Sequence, residues 1–269
     1  ILNLVGSILF AVKLMIVFPD DVAVPFQAIS LAQIPIFFLF IILFRKEAFS
    51  KKLKWDEVPL LIPFGITSAV GSFAIILLDW TDRIILNHYM TLSEVGEYSA
   101  AFRLGLIINT LLILPFSQIW SPMIMEYKDH QNIKQFFSKI LLYFILLGSM
   151  LILYAAVFAI DIVPLIIKLN ISSEFYYVMM LTMFGALIYG TNNIVMAGMQ
   201  YARRLKWMVY IYYGAAVIKG ILNLAVIPFF GLLGAALVSL TVNVLFPLSI
   251  GKVSKKYFSF EIFWKEILI

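Results

Sequence analysis

The chain contains no cysteine and only two histidines, His88 and His130. A disulfide framework, a thiol nucleophile and a thiolate or histidine-rich metal site are therefore excluded, and no metal or cofactor is expected. Charge is scarce too: 13% of the 269 residues are charged and 63% are hydrophobic, with a mean hydropathy of +1.00. Soluble domains carry about a quarter charged residues, so this composition points to a bilayer. The chain opens on ILNLVGS, without an initiator Met or the basic start of a signal peptide, and closes on KEILI. On this reading it is a piece of a longer protein.

What the chain does have is long apolar runs. A spanning helix needs roughly 20 mostly apolar residues, and eight stretches qualify: 1–18, 22–44, 60–86, 95–119, 136–160, 175–199, 207–229 and 232–253. The expected fold class is an all-α polytopic membrane protein with eight transmembrane helices.

The connections alternate in charge. Arg45, Lys46, Lys51, Lys52 and Lys54, then Lys128, Lys134 and Lys139, then Arg203, Arg204 and Lys206, then Lys252, Lys255, Lys256 and Lys265 make up 15 of the 20 basic residues. The opposite connections (19–21, 87–94, 161–174 and 228–231) hold only Lys168. The positive-inside rule places the first set in the cytoplasm. Topology thus accounts for the net charge of +5, and nucleic acid is not needed as a partner. The outer connections are all short, the longest being about 14 residues around DIVPLIIKLNISSE. They leave no outer platform for an enzyme acting on lipid-linked sugars.

The four basic residues that remain all lie within spans: Lys13, Arg83, Arg103 and Lys219. A charge at the bilayer centre costs about 2.5–3.5 kcal/mol on insertion scales, so such groups usually face a bundle interior or a wet cavity. If the turn between spans three and four is centred near residue 93, Arg83 and Arg103 lie ten residues either side of it and at one depth. Lys219, ten residues before Phe229, falls at a similar depth. That suggests a cationic patch lining a cavity.

Asp79 and Arg83 are spaced i, i+4 and can pair on one helix face, with Asp82 on roughly the same side. Lys219 and Asn223 repeat that spacing on span seven, and Asn109, Gln118, Asn192 and Asn193 put polar groups on other spans. A structural ion-pair knot is the alternative for Asp79, Asp82 and Arg83. For Lys13, five residues from a span end, snorkelling to the interface is the alternative. Pro35, Pro63, Gly65, Gly71, Pro115, Gly185, Gly190 and Pro247 interrupt spans. They suit either kinks that bend between states or close packing of small residues.

Several local patterns converge on one family. DRIILNHYMTLSEVGEYSAAFRL (82–104) resembles the seventh-to-eighth helix hairpin of bacterial polysaccharide flippases, including O-antigen flippases. These are members of the multidrug/oligosaccharidyl-lipid/polysaccharide exporter superfamily. KGILNLAVIPFFGLLGAALVSL (219–240) is similar to the eleventh-to-twelfth helix stretch, and KKYFSFEIFWKEI (255–267) to the cytoplasmic segment that leads into a further helix pair.

The resemblance implies a two-lobe, MATE-like architecture. Residues 1–59 would hold the last two helices of the first lobe and a basic cytoplasmic linker, 60–253 the second six-helix lobe, and 254–269 the cytoplasmic segment. It further implies alternating-access flipping of an undecaprenyl-pyrophosphate-linked oligosaccharide repeat unit across the cytoplasmic membrane. Lipid-linked oligosaccharide, membrane lipids and polysaccharide-assembly proteins such as a polymerase would be the partners.

Arg83, Arg103, Lys219 and Asn223 are the candidate substrate-binding residues, because Arg can grip phosphate oxygens in a bidentate way. Asp79 and Asp82 are the candidate coupling or ion-pair groups. The runner-up is a cation-coupled multidrug exporter of the same superfamily. A membrane glycosyltransferase using Asp20 and Asp21 is a distant third, and the reading is not an enzyme.

Overall fold

A computed structural model describes residues 33–34, 37–45, 58–127, 133–167, 171–202 and 206–257 of the chain. The chain divides into two compact units, Ile1–Pro63 and Phe64–Ile269. In the first, residues 37–45 are helical and expose Phe37, Phe38 and Phe40. Most of the first two predicted spans, with Lys13, Asp20 and Asp21, lies outside the described residues, as does the segment from residue 258 onward.

Every element among the described residues is a helix. From Val58 onward they are, in chain order, α1 (Val58–Tyr89), α2 (Leu92–Gly105), a π-helical turn (Asn109–Ile113), α3 (Leu114–Glu126), α4 (Ile133–Ile166), α5 (Ser173–Gly190), α6 (Asn192–Val195), α7 (Ala197–Tyr201) and α8 (Lys206–Ser254). Four stretches are long and apolar enough to cross a membrane: Leu92–Ile124, Gln135–Leu165, Ser173–Tyr201 and Trp207–Ser254. The chain is a multi-pass membrane protein by this measure. The surface of α4 makes the same point, because Met150, Leu153, Tyr154, Val157 and Ile160 all stand exposed on it. In water such a face would drive aggregation; in hydrocarbon it needs no cover.

The longest stretch is two helices. Gly231, at φ 54° and ψ −132°, breaks α8 into arms of spanning length on either side. Only Gly takes up such a conformation cheaply. The arms run back beside each other, with the rings of Tyr212 and Phe246 4.6 Å apart. The predicted spans seven and eight are these arms, joined without a loop.

Two other predicted spans are interrupted. Span four breaks at the π-turn, where the N–H of Leu114 bonds to the carbonyl of Asn109. Pro115 follows at once, lacking an N–H and clashing with a regular turn before it; the wider turn relieves that clash. Span six breaks at Thr191 and Met196, where α5, α6 and α7 meet.

The turn between α1 and α2 also sits earlier than the sequence suggested. Thr91 is extended and caps α2 reciprocally with Glu94, so α2 begins at Leu92 and the turn falls at Met90–Thr91 rather than at residue 93. Asp82 therefore faces Tyr98, and Arg83 faces Ser99. Arg103 lies about one helical turn deeper than Arg83, and the two do not share a level.

Small residues bring the helices together. A Cβ on Gly105 would stand 2.6 Å from Thr182 Cβ and 2.7 Å from the Met179 carbonyl, so α2 and α5 touch through backbone. Gly185 meets Asn243 of α8, and Gly190 meets Ile113 and Phe144. Both of these glycines are packing residues. Around Leu86, Tyr98, Phe175 and Ile227 lies one buried cluster; around Trp120, Phe137 and Phe144 lies another.

Candidate functional site

The charges concentrated on α1 meet α2 and both arms of α8. Asp82 is fully buried and accepts four hydrogen bonds. Lys219 Nζ donates to its Oδ2 at 2.8 Å, Ser239 Oγ to the same oxygen at 2.8 Å, and Tyr98 Oη at 2.9 Å. Asn223 Nδ2 donates to Oδ1 at 2.6 Å. Lys219 also donates to the Leu78 carbonyl at 2.8 Å.

Asn223 precedes Gly231 by eight residues and Ser239 follows it by eight, so the turn delivers both to one carboxylate. A buried carboxylate without partners would carry a desolvation penalty of several kcal/mol. Here a resident ammonium and three neutral donors offset it. Lys219–Asp82 is the ion pair among the described site residues.

Asp82, not Asp79, is thus the paired carboxylate, and Lys219, not Arg83, is its partner. The i, i+4 spacing of Asp79 and Arg83 does bring them together, but through backbone: Arg83 Nη1 donates to the Asp79 carbonyl at 2.8 Å, and Nε donates to Ser99 Oγ at 3.2 Å. The guanidinium lies 5.0 Å from the Phe102 ring centre and 5.8 Å from that of Trp80. Those two hydrogen bonds engage part of its donor set, and its other N–H groups bond to no acceptor among the described residues. Arg103 is exposed, on the opposite side of α2 from the buried face of Tyr98, Ala101, Phe102 and Gly105.

Beside the Asp82 network lies a cavity of about 270 Å³, walled by α1, α2, α5 and both arms of α8. Asp79 and Lys219 line it together with Asn109, Tyr189, Tyr212 and Asn243. Arg83, Arg103 and Asn223 do not. Of the three cations read as one patch, only Lys219 reaches this wall, because Arg83 is held by Asp79 and Ser99 and Arg103 points away. Tyr189 and Tyr212 join hydroxyl to hydroxyl at 2.9 Å, and the ring of Phe246 touches both.

Tyr98, Ser239 and the tyrosine pair were not singled out from the sequence. The equal offsets of Asn223 and Ser239 from Gly231 were the available signal for Ser239. The T-x-x-E capping box at Thr91 was the signal for Tyr98, since it fixes which α2 residue faces Asp82.

No curated protein and no solved structure matches the chain. A family model does match, and it ends two residues past α3, so it takes in Asp79, Asp82, Arg83 and Tyr98 but not the arms of α8. Over residues 1–128 the chain matches the family described as polysaccharide biosynthesis protein, which agrees with the resemblance carried by its 82–104 hairpin.

Proposed function

We propose that the chain works as a flippase that carries a lipid-linked oligosaccharide, an undecaprenyl-pyrophosphate repeat unit, across a bacterial or archaeal cytoplasmic membrane by alternating access. The carrying observation is the buried Asp82 network. Helices α1, α2 and both arms of α8 are tied by one buried carboxylate, beside a polar cavity, in a chain whose first 128 residues match the polysaccharide biosynthesis family. Intramembrane ionisable groups with named partners are functional by default.

The roles divide by geometry. Arg83 keeps guanidinium hydrogens with no acceptor among the described residues and Arg103 is exposed, so both suit the cargo pyrophosphate. Lys219 and Asn223 are committed to Asp82, and of the two Lys219 lines the cavity. Asp79, whose carboxylate has no ion-pair partner among the described residues, is the group left for coupling. A cation-coupled multidrug exporter would use that same carboxylate, set near Tyr189 and Tyr212, to bind its coupling ion.

Expression of the full-length gene in a cell lacking its glycan flippase separates these readings. Restored surface polysaccharide supports flipping. Loss of that restoration in the Arg83→Ala, Arg103→Ala double variant assigns the cations to cargo, and normal surface glycan in the double variant removes that assignment. Drug resistance without surface glycan gives the multidrug reading.

A further inference from the structure

The cavity's chemistry does not match the pyrophosphate end of the proposed cargo. Asp79 and Lys219 line it, Asp82 and Arg83 lie immediately beside them, and the two acids balance the two bases. A polyanion requires a cationic excess, and an organic cation requires an acidic one. This wall offers neither.

What it offers is aromatic rings and groups that both donate and accept. Tyr189, Tyr212 and Phe246 give adjoining ring faces. Asn109 and Asn243 give amides whose side chains make no hydrogen bond to another described residue, and each amide can donate two hydrogens and accept at its oxygen. The Asp79 carboxylate accepts only, and can take two neighbouring hydroxyl hydrogens. The paired tyrosine hydroxyls spend one hydrogen on each other and keep the second.

Neutral hydroxyl-rich rings are the ligands that use all of this. Their C–H faces lie on the negative faces of aromatic rings, and their hydroxyls satisfy amides and a carboxylate. At about 270 Å³ the volume is just under the roughly 300–1,000 Å³ of drug-sized pockets, which fits one ring rather than a chain.

We infer that this cavity is a binding subsite for a single uncharged sugar residue, held by Asp79, Asn109, Asn243 and the Tyr189–Tyr212 pair. The inference rests on the flippase reading and assigns part of its cargo to this lobe. One packing detail gives it a handle. The amide nitrogen of Asn243 lies 2.8 Å from where a Cβ on Gly185 would be, so Gly185→Ala displaces the amide without removing it.

The test uses purified full-length transporter in lipid nanodiscs and saturation-transfer NMR. The probes are glucose, galactose and N-acetylglucosamine, with inorganic pyrophosphate and tetraphenylphosphonium as rivals. The expected result is transfer to the ring protons of at least one sugar, and affinity about tenfold weaker in Asn243→Leu and in Gly185→Ala, the order expected for one lost hydrogen bond. Tyr212→Phe, which keeps the ring and its packing, should weaken binding with an unchanged melting temperature.

The inference is overturned if no sugar binds, if only pyrophosphate or tetraphenylphosphonium does, or if sugar binding survives all three variants. Surface-glycan restoration tells the two failures apart. Wild type that restores nothing removes the flippase reading, whereas wild type and all three variants restoring equally removes only the sugar subsite.

Discussion

Lys219 Nζ stands 2.8 Å from Asp82 Oδ2, with side chains 6% and 0% exposed. Removing either partner leaves the other charge buried and unpaired, which costs about 3–5 kcal/mol in buried pairs, whereas replacing both often costs little. Lys219→Met and Asp82→Asn should each lower the melting temperature of the solubilised protein sharply. The double variant should be clearly more stable than their sum predicts. Additive losses across that cycle would show that the two residues are not coupled.

Gly231 tests the hairpin independently. At φ 54° and ψ −132° any side chain is strained, at about 1–3 kcal/mol for a sparsely populated backbone region. A Cβ there would also approach Met90 Cε to 3.4 Å. Gly231→Ala should reduce stability by that order, and adding Met90→Ala should not restore it, because the strain is in the backbone. Full recovery in the double variant would place the cost in the contact with Met90 instead.

The elements of this site were unequally visible in the sequence. Asp82, Lys219 and Asn223 stood out because charge and amides are rare in apolar runs. The partnership did not, because helical spacing speaks only for neighbours on one helix, and Arg83 answered that spacing with the Asp79 carbonyl rather than the carboxylate. Hydroxyls such as Tyr98 and Ser239 are ordinary in membrane helices and carry no sequence signal until a turn fixes the register. Gly231 and the Thr91–Glu94 capping box are those turns. The loop-centred estimate of depth missed by about a turn since it assumed a symmetric loop where one cap set the start.

Gly105 makes a third prediction. Its hypothetical Cβ meets both a side chain and the Met179 carbonyl oxygen, at 2.6 and 2.7 Å. Side chains can move aside; a helix carbonyl cannot without shifting α5. Gly105→Ala should cost about 1–3 kcal/mol by overpacking, seen as a lower melting temperature. Thr182→Ala added to it should relieve only part, since it leaves the carbonyl clash in place.

Arg103 and Lys219 should separate transport from folding. Arg103 is exposed and makes no ion pair among the described residues, and surface substitutions of this kind shift stability by about 0.5 kcal/mol or less. Arg103→Gln should therefore keep the wild-type melting temperature and membrane abundance, so any fall in surface glycan reports on cargo handling. Lys219→Gln can still donate to Asp82 but loses the countercharge, so its transport defect should come with a lower melting temperature. Equal destabilisation by the two variants would mean that Arg103 is held by a contact beyond the described residues, and its place in a cargo path would then lose its support.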